Sequence, residues 1–377
     1  MRPPRLGSTL GMVALATVPV LAASALSTSS AGASSISARK SSTTVVGQSV
    51  SAGEQARTLA YWTPARRAAA KSAEVVAGSA PVNQQSPAVE TPDGPPSRVA
   101  AASPEGASSA SISAQQLSAG EPVLAGQPWA YPFPYDTFAV PVKLYKTYPY
   151  AVNGTIFFRN NGGEYKCSGT SVTNGHQESE VWTAGHCVAN TESGSKFDEQ
   201  AEFIPAYDGN GSKTKEIEPY GTFVATGYET ATAWLDSHDE TVDFGAMLLA
   251  DNKKHKSLSA EVGTDGFAWN QNENEQFVQF GYPGESPYNG TKMEENIAAT
   301  AVSETSHGAG GNPTGTGSPL TGGSSGGAWN IGWTDEGPGY INGHTDFYFT
   351  EKPLTKYSPY FNTLADEVRC FGNTSAC

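Results

Sequence analysis

Cysteine and histidine are scarce, four and six in 377 residues, and neither occurs in the paired spacing that holds a metal. Without Cys-x-x-Cys knuckles or neighbouring histidines, a zinc-organised fold is excluded. Past the first thirty residues no apolar run reaches spanning length, which argues against further membrane spans. Basic charge is also in short supply. Of 23 Lys and Arg and 37 Asp and Glu, residues 1–126 take 9 basic and 6 acidic, so the remainder is about 17 charges negative. Such a surface repels phosphate backbones and anionic lipid heads, which removes nucleic acid and membrane as partners and leaves solubility as the role of the charge. Aromatics are missing from residues 34–127 except for Tyr61 and Trp62.

What is present falls into three stretches. Residues 1–33 have a basic start, Met1-Arg2-Pro3-Pro4-Arg5, an apolar run from Leu10 to Leu26, and small residues at Ala31-Gly32-Ala33, the order of a secretory signal and its cleavage site. Residues 34–127 are rich in Ala, Ser, Pro, Gly and Val and read as a propeptide or low-complexity spacer, a disordered N-terminal third in which only Glu54–Val76 is expected to be helical. Residues 128–377 carry the folded domain.

In that domain short strand patterns alternate with Gly, Asn, Asp and Pro. Gly154–Arg159, the turn Asn160-Asn161-Gly162-Gly163, and Glu164–Val172 form a hairpin signal. Further strands are expected at Val181–Thr183, Gln200–Tyr207, Gly221–Thr226, Phe244–Leu249, Gln276–Phe280, Ala328–Ile331 and Gly339–His344. This density predicts an all-β antiparallel barrel or sandwich. The tail differs: Tyr360, Phe361, Leu364 and Val368 follow Ser358-Pro359 at helical spacing and predict a C-terminal helix. Cys167, Cys187, Cys370 and Cys377 are an even set on an exported chain, so two disulfides are expected. Of the three pairings, short loops favour Cys167 with Cys187 and Cys370 with Cys377.

Ser325 lies within Gly322-Gly323-Ser324-Ser325-Gly326-Gly327, where glycines let successive backbone N–H groups converge, and Ala328-Trp329 then starts an apolar strand. A linker would not run into a buried aromatic. His186 sits in Thr183-Ala184-Gly185-His186-Cys187, and Asp243 opens the apolar strand Phe244–Leu249, where a charge needs a partner. A hydroxyl, a base, a carboxylate to orient the base, and N–H donors for an oxyanion make up serine acyl-transfer chemistry. The donors would be the amides of Gly323 and Ser325. The order His186, Asp243, Ser325 disfavours an α/β-hydrolase, which places its nucleophile first and its histidine last.

With Cys167-Ser168-Gly169-Thr170, Thr183–Cys187, Asp243-Phe244-Gly245, Gly281-Tyr282-Pro283 and Gly323–Gly327, the chain from about Tyr145 onward resembles the trypsin-like serine peptidases, most closely the secreted bacterial branch with the glutamyl endopeptidases. The resemblance implies two antiparallel six-stranded β-barrels with the site between them, Cys167 bridged to Cys187 beside the base, no cofactor, and a monomer acting on protein or peptide substrates. Departures are equally specific. Ser324 replaces the aspartate that captures a new N-terminus in trypsin-like zymogens, and Pro319 replaces the carboxylate that reads Lys or Arg. A cysteine common near Thr321 is missing, which leaves Ser306–Leu320 rich in glycine. His344 and Thr321 are the candidates for binding an acidic substrate side chain. Asp208-Gly209-Asn210-Gly211 could bind calcium, but two oxygens in a turn make a weak case. The rival function is a catalytically inactive peptidase-fold binding protein at the cell surface.

Overall fold

The computed structural model describes residues 43–77, 92–106, 130–174, 179–190, 196–272, 274–304, 310–335 and 337–371. The signal segment 1–33, much of the spacer 34–127, His176, His307 and Cys377 lie outside the described residues.

Six antiparallel strands form a closed barrel: β1 (Asn153–Asn160), β2 (Gly163–Ser171), β3 (Glu180–Ala184), β4 (Glu199–Pro205), β5 (Phe223–Ala231) and β6 (Phe244–Leu249). Their order is β5-β4-β1-β2-β3-β6, and β6 returns to β5. The β1–β2 hairpin turns at Asn161 and Gly162, both at positive φ (47° and 80°), as a two-residue loop between right-twisted strands requires. Ile156, Phe157 and Phe158 are all buried, although neighbouring strand residues face opposite sides. The explanation lies outside the barrel, where Trp62 covers Phe157 with ring centres 5.7 Å apart.

The second half comprises β7 (Gly266–Trp269), β8 (Gln276–Gly281), β9 (Glu294–Ser303), β10 (Thr314–Gly317), β11 (Ala328–Ile331), β12 (Tyr340–His344), β13 (Phe347–Phe349) and β14 (Thr355–Ser358). The path of its main sheet runs β14-β10-β9-β8-β11-β12-β7, with Asp136–Ala139 pairing β9 off the path, whereas β13 belongs to a separate two-stranded sheet with Val75–Ala77. Two closed barrels were expected; among the described residues only the first closes. The free edge of β7 is taken instead by Ser97–Val99, so its backbone groups are satisfied without a return to β14. β7 also runs parallel to β12, a departure from an all-antiparallel reading.

The main core joins both halves around Trp182 of β3, which packs on Phe267 of β7 (4.8 Å) and on Phe361 (5.1 Å). Phe361 leads into the predicted terminal helix, Thr363–Arg369, whose first N–H groups are accepted by Asn362. Cys370 just beyond is disulfide-bonded.

The leader departs most from expectation. Residues 43–77 and 92–106 are folded, and Val50, Trp62 and Ala70 belong to the main core. In place of one helix over Glu54–Val76 there are two, Ala52–Tyr61 and Pro64–Ala69, each capped by a hydroxyl, Ser51 and Thr63. Pro64 cannot continue the first and starts the second. The segment gains order from the barrel's surface: Val45–Ser49 pairs with β5, the Trp62 indole donates to the Gln200 carbonyl at 2.6 Å, and Arg67 lies between Glu202 and Glu218.

Candidate active site

The strand β3 ends in a single 3-10 turn, Gly185–Cys187, that carries His186, and the disulfide Cys167–Cys187 ties this turn to β2. Asp243, fully buried, immediately precedes β6, which pairs with β3. Its Oδ1 accepts the His186 backbone N–H at 2.7 Å and its Oδ2 faces Nδ1 at 2.8 Å. A carboxylate only accepts, so Nδ1 carries the hydrogen and Nε2 presents its lone pair. Burial would raise the Asp243 carboxyl, but attraction to His186 and the hydrogen bond from its ring bring it below its ordinary value. The His186 Nε2 is buried and has no hydrogen-bond partner among the described residues.

Ser325 lies in the turn between β10 and β11, next to the same disulfide, its carbonyl 3.8 Å from Cys187 Sγ. Ser168 sets this turn: its N–H donates to the Ser325 carbonyl (2.8 Å), and its hydroxyl donates to the Gly323 carbonyl (2.9 Å) while accepting Tyr282 N–H (2.9 Å). Gly323 sits at φ +91°, where a side chain would be strained and would meet the Tyr282 carbonyl at 2.9 Å. In this conformation its N–H points into the cleft.

A peptide from the leader fills that position. The Ala73 carbonyl accepts the Gly323 N–H at 3.0 Å and the Ser325 hydroxyl at 3.3 Å. Ala73 N–H donates to the Lys166 carbonyl at 2.9 Å, Lys71–Ser72 pairs parallel to β2, and Val75–Ala77 pairs parallel to β13. The Glu74 side chain crosses Gly322 and meets the Tyr348 hydroxyl and the Gly322 backbone; burial and the nearby Glu285 carboxylate raise its carboxyl above the ordinary value, against the attraction of Lys356.

The remaining predicted residues are placed as follows. His344 is fully buried on β12 and its Nδ1 accepts the Trp182 indole N–H at 3.1 Å; burial drives its pKa to about 3, so the ring is neutral. It stacks among Trp182, Phe244 and Phe361 and offers no surface to a substrate carboxylate. The Thr321 hydroxyl is engaged with the backbone of Glu285, donating to its carbonyl and accepting its N–H, both at 3.1 Å. Ser324 is buried and donates to the Thr321 carbonyl at 2.6 Å. Asp208 turns its Oδ1 to the N–H of Asn210.

Two residues escaped the sequence reading. Lys356 on β14 is buried, donates to the Pro353 carbonyl at 2.5 Å, and stands over the Tyr348 ring at 4.4 Å; burial lowers its pKa to about 8. Asp346, between β12 and β13, is buried 3.5 Å from His186 Nδ1. Only the pairing of β10 with β14 brings Lys356 to the cleft wall, and no local motif announces it.

A thermostable serine protease, AL20, from an extremophilic microorganism superimposes over 100% of its own chain and 62% of this one, at TM-score 0.52 and 27% identity. The fold is that of a chymotrypsin-like serine peptidase. The protease Anisep of Arthrobacter nicotinovorans is similar over 60% of this chain and 95% of its own (TM-score 0.49, 28% identity). In sequence, an extracellular metalloprotease of Bacillus subtilis is 34% identical over 106 residues, 27% of this chain; the match spans only 30% of that relative's length. No family model matches the chain.

Proposed function

We propose that the chain is a secreted serine endopeptidase in which Ser325 attacks the peptide carbonyl, His186 takes and returns the proton, Asp243 orients the imidazole, and the Gly323 and Ser325 amides hold the oxyanion. The observation that carries this reading is the Ala73 carbonyl, held between Gly323 N–H and Ser325 Oγ while His186 Nδ1 rests on Asp243. A main-chain carbonyl is bound where an acyl-transfer site would polarise one. Export rests on the composition of residues 1–33. A fluorophosphonate probe tests the proposal. Labelling of the processed protein, absent in Ser325→Ala, supports the peptidase; a processed protein that never labels leaves the inactive cell-surface binding protein.

The leader would then be the enzyme's own inhibitor, threaded so that it resists cleavage. Its N-terminal side lies on β2 and its C-terminal side on β13, parallel to both, with Ala73 delivering the carbonyl and the next residue, Glu74, delivering the side chain at Gly322. A substrate that presents carbonyl and pocket side chain from one residue must run the other way. In the observed sense the amine to be expelled is that of Glu74, whose side chain lies at Gly322.

Preference for acidic side chains follows from the same occupant. Glu74 lies where Lys356, Tyr348 and Gly322 face a carboxylate, so reading of an acidic residue falls to these groups and not to His344.

A further inference from the structure

Asp346 is a buried carboxyl with no obvious partner. It lies 2% exposed, its own N–H donates to the Tyr357 carbonyl at 3.0 Å, and neither side-chain oxygen meets a donor among the described residues. Its surroundings are anionic or already committed. Asp243 and Glu240 approach from the segment before β6, and His186 from the turn after β3. His186 Nδ1 is 2.8 Å from Asp243 and 3.5 Å from Asp346, so the hydrogen on Nδ1 belongs to Asp243. An oxygen of Asp243, an oxygen of Asp346 and a ring nitrogen of His186 all lie within 4.8 Å of one another, and two buried carboxylates this close cannot both be ionised; one must hold a proton.

We infer that Asp346 is the protonated member of this pair and donates its hydrogen to Asp243, acting as a positioning residue that holds Asp243 against His186. This inference rests on the proposed peptidase reading for its catalytic meaning, though not for its chemistry. The assignment of the proton is asymmetric for a clear reason: Asp243 has two N–H donors from His186, and Asp346 has none. Burial first, then the adjacent Asp243 and the more distant Glu240, push the Asp346 carboxyl well above its usual range, in agreement with the geometry. A neutral carboxylic acid adds a donor to Asp243 without adding charge beside the imidazole. An ionised Asp346 would instead add a second anion there and hold His186 protonated when it should be a base.

The test compares wild type, Asp346→Asn and Asp346→Leu in the chain as its host exports and trims it. Asparagine keeps an N–H donor and no charge. The midpoint of the acid limb of kcat/KM should therefore move by less than about 0.3 pH unit in Asp346→Asn, with kcat within roughly threefold of wild type. Asp346→Leu removes the donor at similar size and should lower kcat about tenfold with little change in KM. Infrared difference spectra should show a protonated carboxylic acid in wild type at neutral pH that is lost in Asp346→Asn. If Asp346 is ionised, Asp346→Asn deletes a charge beside the imidazole and the acid limb falls by about one unit or more, which overturns the inference. Absence of the carboxylic acid band would also overturn it. The downfield Nδ1–H resonance of His186 can be titrated whether or not the protein hydrolyses peptides. Failure of the peptidase reading and failure of this inference are thus separable, and Asp346→Asn carries the test should the leucine variant not fold.

Discussion

The leader and the two β-halves are held by different forces. In the β-halves the largest fully buried side chains are mostly aromatic, Trp182, Trp234, Trp329, Tyr228 and Phe203 among them, and nothing short of unfolding would expose them. The leader reaches that core with few apolar groups, chiefly Trp62, and otherwise depends on strand pairing and on Arg67, whose guanidinium lies 2.6 Å from Glu202 and also contacts Glu218. Polar and backbone contacts can be exchanged for water one by one. On the proposed inhibitor reading the leader is a ligand tethered to its receptor, and the tether supplies an effective concentration that a free peptide would lack.

The contrast breaks most sharply at Arg67. Arg67→Ala leaves two carboxylates facing each other without a cation, and a buried pair broken on one side loses about 3 kcal/mol. If the leader is a releasable inhibitor, freshly isolated full-length Arg67→Ala should hydrolyse a peptide substrate on the order of a hundredfold faster than full-length wild type. The thermal midpoint of the β-halves should hardly change. Equal initial rates would mean that the leader is retained by contacts elsewhere.

Lys356 sharpens the comparison because leader and substrate would share it. Lys356→Met keeps the stem over Tyr348 and removes the ammonium. The ratio of cleavage after Glu to cleavage after Leu should drop roughly tenfold or more, since a charge-assisted contact in a partly dry pocket contributes about 1.5–3 kcal/mol. An unchanged ratio would return specificity to another part of the cleft, and His344→Ala is the control expected to leave it unchanged.

How far the sequence was legible follows the same division. The hairpin at Asn161-Gly162, the strand Phe244–Leu249 and the helix after Pro359 appear where periodicity and turn chemistry put them, because each is decided locally. His186 and Asp243 could be named from short motifs, and the fold brings them within 2.8 Å. The leader was misread because its composition shows too little apolar surface for a core of its own; the surface it covers, Phe157 and Glu202, belongs to distant strands. Lys356 and Asp346 were invisible for a related reason. Each takes its environment from strands far away in sequence, and an isolated Lys or Asp in a strand-rich stretch reads as solvated. His344 erred the other way, since its place in the sequence suggested the pocket while the register of β12 turns its ring toward Trp182.

The smallest expected effect concerns stability, and it separates the β-halves from the leader by pH. Burial pushes Glu180 and Glu229 in the first barrel up to about 8, and Glu202, Glu295 and Glu304 up to about 7, from an ordinary 4.5. In the window between 4.5 and these values the folded protein binds more protons than the unfolded chain. Stability is then fully present below the unfolded value and is lost as pH rises through the folded ones. Asp243 has the opposite sign, held low by His186, but its window lies below the ordinary aspartate value and does not offset the others. Melting of Ser325→Ala, which cannot digest itself, should therefore show its highest midpoint at about pH 4–5 and a loss of roughly 5–10 °C by pH 8. Glu229→Gln, which cannot ionise, should flatten the upper part of that slope, whereas Arg67→Ala should leave most of it in place because Arg67 touches only one of the five groups. A midpoint that rises between pH 5 and pH 8 would show that these carboxyls are ionised in the folded β-halves and that the polar groups there are as open to water as those of the leader.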